Sequence, residues 1–142
     1  MPKSYRPSLV IPHLWVGPEP KNVRGLGRHF DTLVLTAKEI QYASRFPDIE
    51  VIKAPLDDTE FPPTEDEIVI AYDAALRVAR KVSQGKDVLV TCHLGRNRSG
   101  MVAALAMRML GYGPKETVNK LRGARGDEAL RNPWFEQMVV RY

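Results

Sequence analysis

Residues 101–110, Met-Val-Ala-Ala-Leu-Ala-Met-Arg-Met-Leu, would place apolar side chains around nearly the whole circumference of a helix. Such a helix cannot lie on a surface; the rest of the domain has to wrap it. Gly111 supplies its stop. A chain of 142 residues can wrap one central helix in a single domain, 1–142, and is too short for two separate cores. The unbroken apolar run ends at Met107, far short of the ~18 residues of a membrane span. Pro12 likewise cuts Leu9-Val10-Ile11 short of a signal-peptide core of ~7–15 residues. With 44% hydrophobic and 27% charged residues, neither a disordered nor a fibrous chain fits. The expectation is a water-soluble, cytoplasmic domain.

Short apolar and β-branched runs between turn residues predict strands at 9–11, 14–16, 32–35, 49–53 and 88–91. The fold class is therefore α/β: a central mixed sheet of about four or five strands flanked by helices. Thr36 with Glu39 has capping-box spacing after the third strand, and Thr64 with Glu67 repeats it before a longer helix. In that helix Ile68, Tyr72, Ala75, Leu76, Ala79 and Val82 keep helical spacing up to Gly85. Gly113-Pro114 opens a helix carrying Val118 and Leu121; Asn132-Pro133 opens another with Phe135, Met138 and Val139. Trp15 and Trp134 are expected to be packing residues.

One cysteine excludes an intrachain disulfide and a multi-cysteine zinc site, leaving a structural filler or a reactive thiol. A net charge of +4 suits anionic substrates and is too small for a dedicated nucleic-acid binder. Cys92 stands where the last predicted strand gives way to Cys-His-Leu-Gly-Arg-Asn-Arg-Ser-Gly and then to the buried helix. A loop entering a helix N-terminus turns several backbone N–H groups inward, which makes a cradle for a phosphate dianion from residues 92–98. Gly95 allows the tight bend. The same N–H groups, the helix dipole and the Arg98 guanidinium favour a thiolate at Cys92 over a thiol. Arg98 can hold two phosphoryl oxygens in a bidentate fork, and the Ser99 hydroxyl can hydrogen-bond the sulfur.

This stretch resembles the signature Cys-x5-Arg-Ser/Thr of the cysteine-dependent protein tyrosine phosphatase superfamily, and within it the compact dual-specificity phosphatases. Beyond the loop, the resemblance rests on Leu14-Trp15-Val16-Gly17, on Pro55-Leu56-Asp57-Asp58 and on Leu121-Arg122-x-x-Arg125. It implies hydrolysis of phosphomonoesters through a cysteinyl-phosphate intermediate, without metal or cofactor, on phosphotyrosine and some phosphoserine or phosphothreonine proteins. Cys92, Arg98, Ser99 and Asp58 would be catalytic. His93, Leu94, Gly95, Arg96, Asn97 and Arg98 would bind phosphate.

The mechanism also needs a group to protonate the leaving oxygen. Asp58 matches the family's acid position best, with Asp57 the alternative and Glu60 behind it. The family usually has His before the cysteine, where this chain has Thr91, with His93 on the other side. The loop also looks like that of RNA 5′-triphosphatases of the superfamily. An RNA 5′ end or an inositol lipid thus remains an alternative substrate, and a catalytically lapsed phosphate-binding module an alternative role. Arg96, Arg122 and Arg125 are either extra anion contacts or solvated surface charges.

Overall fold

The computed structural model describes residues 6–21 and 25–142. The five predicted strands all form: β1 (Ser8–Ile11), β2 (Leu14–Gly17), β3 (Thr32–Ala37), β4 (Glu50–Leu56) and β5 (Val88–Thr91). They lie in the order β1-β2-β5-β3-β4. β1 and β2 make an antiparallel hairpin, and every other neighbouring pair is parallel. β5 is thus central, with Leu14 and Thr32 both opposite Val88, and Val16 and Val34 both opposite Val90. Parallel strands end at a common edge, and ligands of open α/β sheets bind in the crevice beyond that edge. Here the edge is marked by Gly17, Ala37, Leu56 and Thr91.

Alternation along the strands divides the core. Val16, Val34, Ile52, Ala54, Val88 and Val90 face one way, into a cluster shared with α1 (Glu65–Ser83), α2 (Arg98–Met109), α3 (Pro114–Arg125) and α4 (Pro133–Arg141). Leu33, Leu35 and Leu89 face the other way, covered by Phe46, Trp15 and Phe30, the last two meeting edge-on at 5.6 Å. Helix α2 packs against the sheet and against α1, α3 and α4, and all its residues from Arg98 to Met107 are buried. The sequence placed its start at Met101; the helix begins three residues earlier, so Arg98, Ser99 and Gly100 form its first turn.

The Thr64/Glu67 capping box forms, with Thr64 Oγ1 accepting from Glu67 N and Glu67 Oε1 accepting from Thr64 N. Its counterpart at Thr36 and Glu39 does not. β3 runs on through Ala37, so Thr36 sits in a strand, wholly buried, and its Oγ1 donates to the Thr91 carbonyl at 2.8 Å. A β-branched residue beside a paired central strand gains more from burial than from capping. Gln41 Nε2 then binds the Leu35 and Ala37 carbonyls at 2.8 Å each, closing the strand end and leaving Glu39 for another task.

Candidate active site

The residues singled out in the sequence gather at the common strand edge. Cys92 follows β5, Asp58 lies two residues past β4, and Glu39 lies two residues past β3. Cys92 is buried, with its backbone N–H donating to the Gly17 carbonyl at the end of β2. Its Sγ lies 3.2 Å from the Ser99 Oγ, and Ser99 is fully buried. The loop closes around Gly95, whose φ of +68° only glycine adopts without strain. A Cβ there would stand 2.4 Å from the Gly17 carbonyl carbon and 2.6 Å from Arg125 Nη2.

Arg98 enters the site from the first turn of α2. Its Nη1 and Nη2 donate to the two Glu39 carboxylate oxygens at 2.7 and 2.8 Å, and Nη1 also donates to the Leu56 carbonyl at 3.1 Å. Among the described residues its Nε is buried without a hydrogen-bond partner. Hydrogen bonding from Arg98 holds the Glu39 carboxyl down at about 2. Burial opposes the Arg98 charge, but Glu39, Cys92 and Asp58 together raise its pKa above the ordinary guanidinium value. Glu39, which the sequence reading assigned to a helix cap, is instead the ion-pair partner of Arg98.

Arg125 was read as an anion contact or a solvated charge, and it is not solvated. It is buried, with Nε donating to the Gly95 carbonyl at 3.0 Å and Nη2 to the Leu94 carbonyl at 3.1 Å. Its Nη1 reaches the Arg6 carbonyl and Ser8 Oγ at the start of β1. Arg125 thus holds two successive carbonyls of the loop from one side. Burial lowers the Arg125 pKa, the nearby Arg96 lowers it further, and Cys92 acts in the opposite sense. A signal for this role was present: Arg125 continues the stripe Val118, Leu121 at helical spacing, where a charge is expected only if satisfied. Arg122 instead braces the turn before α4, donating to the Ala129 and Leu130 carbonyls and pairing with Glu136 at 3.4 Å.

The two acid candidates separate. Asp58 receives Asn97 Nδ2 on one oxygen and Asn132 Nδ2 on the other, each at 2.9 Å. Asp57 turns away: its carboxylate lies 3.5 Å from Lys38 Nζ, and its backbone N–H donates to Glu67 Oε2 at 2.8 Å. The Glu60 carbonyl accepts from Trp134 Nε1 at 2.9 Å. His93 and Leu94 are exposed on the rim, while Arg96 is half-buried, its carbonyl accepting from Leu130 N. Thr91, standing where the family usually has histidine, donates from Oγ1 to the Val34 carbonyl at 3.0 Å. No group of three or more His, Cys, Asp or Glu residues is placed to hold a metal ion among the described residues.

No family model matches the chain, and no curated protein matches it. Solved structures do. The active form of Tk-PTP superimposes with a TM-score of 0.78 at 21% identity, over 95% of this chain and 93% of that one. Human DUSP28 gives 0.79 at 23% identity, covering 96% and 91%. A mouse putative dual specificity phosphatase complexed with zinc tungstate gives 0.80 at 23% identity, covering 100% and 87%. The fold of this chain is that of the dual-specificity phosphatases.

Proposed function

We propose that this chain is a metal-independent, cysteine-dependent phosphatase acting on phosphoproteins, chiefly phosphotyrosine. The observation that carries the proposal is the convergence on one loop of a buried thiol, a guanidinium fork already aligned by Glu39, and a carboxylate suspended by Asn97 and Asn132. In this reading the phosphate rests on backbone N–H groups of residues 93–98, and Arg98 Nε, buried without a partner among the described residues, donates to a phosphoryl oxygen. The Cys92 thiolate attacks phosphorus as the bond to the leaving oxygen breaks, and Asp58 delivers its proton to that oxygen. Water then attacks the cysteinyl phosphate, the Asp58 carboxylate takes a water proton, and the S–P bond breaks. Ser99 Oγ–H donates to the departing sulfur. Such a thiol nucleophile suits the reducing cytosol.

The test is a side-by-side assay on phosphotyrosine peptides, RNA 5′-triphosphate and inositol phospholipids, with and without chelator. Turnover of the peptides that survives EDTA and disappears in Cys92→Ser is expected, with inorganic phosphate still bound by the variant. Preference for RNA or lipid would reassign the substrate. Appreciable turnover by Cys92→Ser, or rescue of a chelated enzyme by zinc or manganese, would overturn the mechanism.

A further inference from the structure

Asn97 occupies the N-cap of α2, the position where asparagine ordinarily turns its side chain onto its own helix and contributes about 1 kcal/mol. It makes no such cap. Instead Nδ2 donates to Asp58 at 2.9 Å and Oδ1 accepts from the backbone N–H of Asn132 at 3.0 Å. Asn132 does behave as a cap, its Oδ1 accepting from Trp134 N and Phe135 N, and it is buried. Its Nδ2 holds the other Asp58 oxygen and the Thr59 carbonyl. Both side-chain groups of Asn97 are therefore committed to joining three segments: the loop after β5, the loop after β4 and the turn before α4. The forgone cap means that the Asn97 side chain does not occupy the first N–H groups of α2.

From this arrangement we infer that Asn97 is a positioning residue for the general acid, coupling the phosphate-binding loop to the acid loop so that Asp58 is aligned only when the cradle is formed. The inference rests on the reading of Asp58 as the acid. Alanine at position 97 removes the link while keeping the backbone N–H of the cradle. Serine or glycine in the same place would leave Asp58 held from one side, by Asn132. The role assigned to Asn97 by sequence, a phosphate contact, thus belongs to its backbone, and its side chain serves the proton donor.

The experiment compares Asn97→Ala, Asp58→Asn and the double variant on phenyl phosphate, whose leaving oxygen needs a proton, and on 4-nitrophenyl phosphate, whose leaving group needs it far less. Loss of one hydrogen bond to a carboxylate predicts that Asn97→Ala lowers kcat on phenyl phosphate by roughly 10-fold. On 4-nitrophenyl phosphate the loss should stay within about 2-fold, with inhibition by inorganic phosphate unchanged as the check that the cradle is folded. In the Asp58→Asn background, Asn97→Ala should add nothing. Equal losses on both substrates, weakened phosphate inhibition, or additive losses in the double variant would overturn the inference while leaving Asp58 as the acid. Absence of any leaving-group dependence in Asp58→Asn would overturn both.

Discussion

Gly95 offers the sharpest measure of how tightly the loop is built, because Gly85 provides a matched control. Both have positive φ, +68° and +78°, yet a Cβ on Gly85 would meet nothing within 4 Å. Gly85→Ala therefore reports backbone strain alone, about 1–2 kcal/mol, less the ~0.4–1 kcal/mol gained from a stiffer unfolded chain. Gly95→Ala carries the same terms and adds overlap with Gly17 C at 2.4 Å, Gly17 O at 2.6 Å and Arg125 Nη2 at 2.6 Å. The Gly17 atoms belong to backbone at the end of β2, and Gly17 cannot retreat freely because its own Cα faces Pro7. Overpacking of this kind costs about 1–3 kcal/mol. At about 4 °C per kcal/mol for a chain of this size, Gly95→Ala should melt roughly 4–12 °C below Gly85→Ala. Thermal unfolding by circular dichroism gives the difference directly, and only Gly95→Ala should lose turnover. Equal melting temperatures with wild-type activity in both variants would refute the close packing of Gly95 on Gly17 and Arg125.

Two further outcomes follow from the site. The Glu39 carboxyl is held at about 2, below its unfolded value of 4.5, so its stabilisation is fully present above pH 4.5 and is lost as pH falls towards 2. Because the Glu39 side chain is 53% exposed, the stability gap between wild type and Glu39→Gln in urea should be only about 1 kcal/mol at pH 7. That gap should close on acidification, and a pH-independent gap would exclude the ion pair as its source. Asp58→Asn should slow phenyl phosphate hydrolysis by ~10²–10⁴ and 4-nitrophenyl phosphate far less, while Asp57→Asn does little to either. A leaving-group-dependent loss in Asp57→Asn instead would exchange their roles.

What the sequence made legible was local. The strands announced themselves through β-branched runs, α1 through its capping box, and the loop through Cys92, Gly95, Arg98 and Ser99 within eight positions. What it concealed was pairing over long separations. Thr36 and Glu39 have the spacing of a cap, and nothing nearby in sequence says that Thr36 is buried in β3 or that Glu39 meets Arg98 59 residues later. Asn132 was visible as a helix start, a role it keeps, but its amide on Asp58 spans 74 residues. Arg122 and Arg125 share a basic helix turn, and only packing distinguishes the brace of a turn from the clamp on the loop after β5.

The Arg125 clamp has a consequence for the order of events in folding. One guanidinium joins the carbonyl of Arg6, 119 residues earlier, to the carbonyls of Leu94 and Gly95. Contacts of such separation form late, after the loop-closure entropy of the intervening chain has been overcome. A nascent chain that has emerged only as far as Cys92 carries the thiol without the clamp, the Arg98 fork or helix α2 around it. The enclosure of Cys92 is therefore completed only with the fold itself, and partly folded chains leave this thiol uncovered.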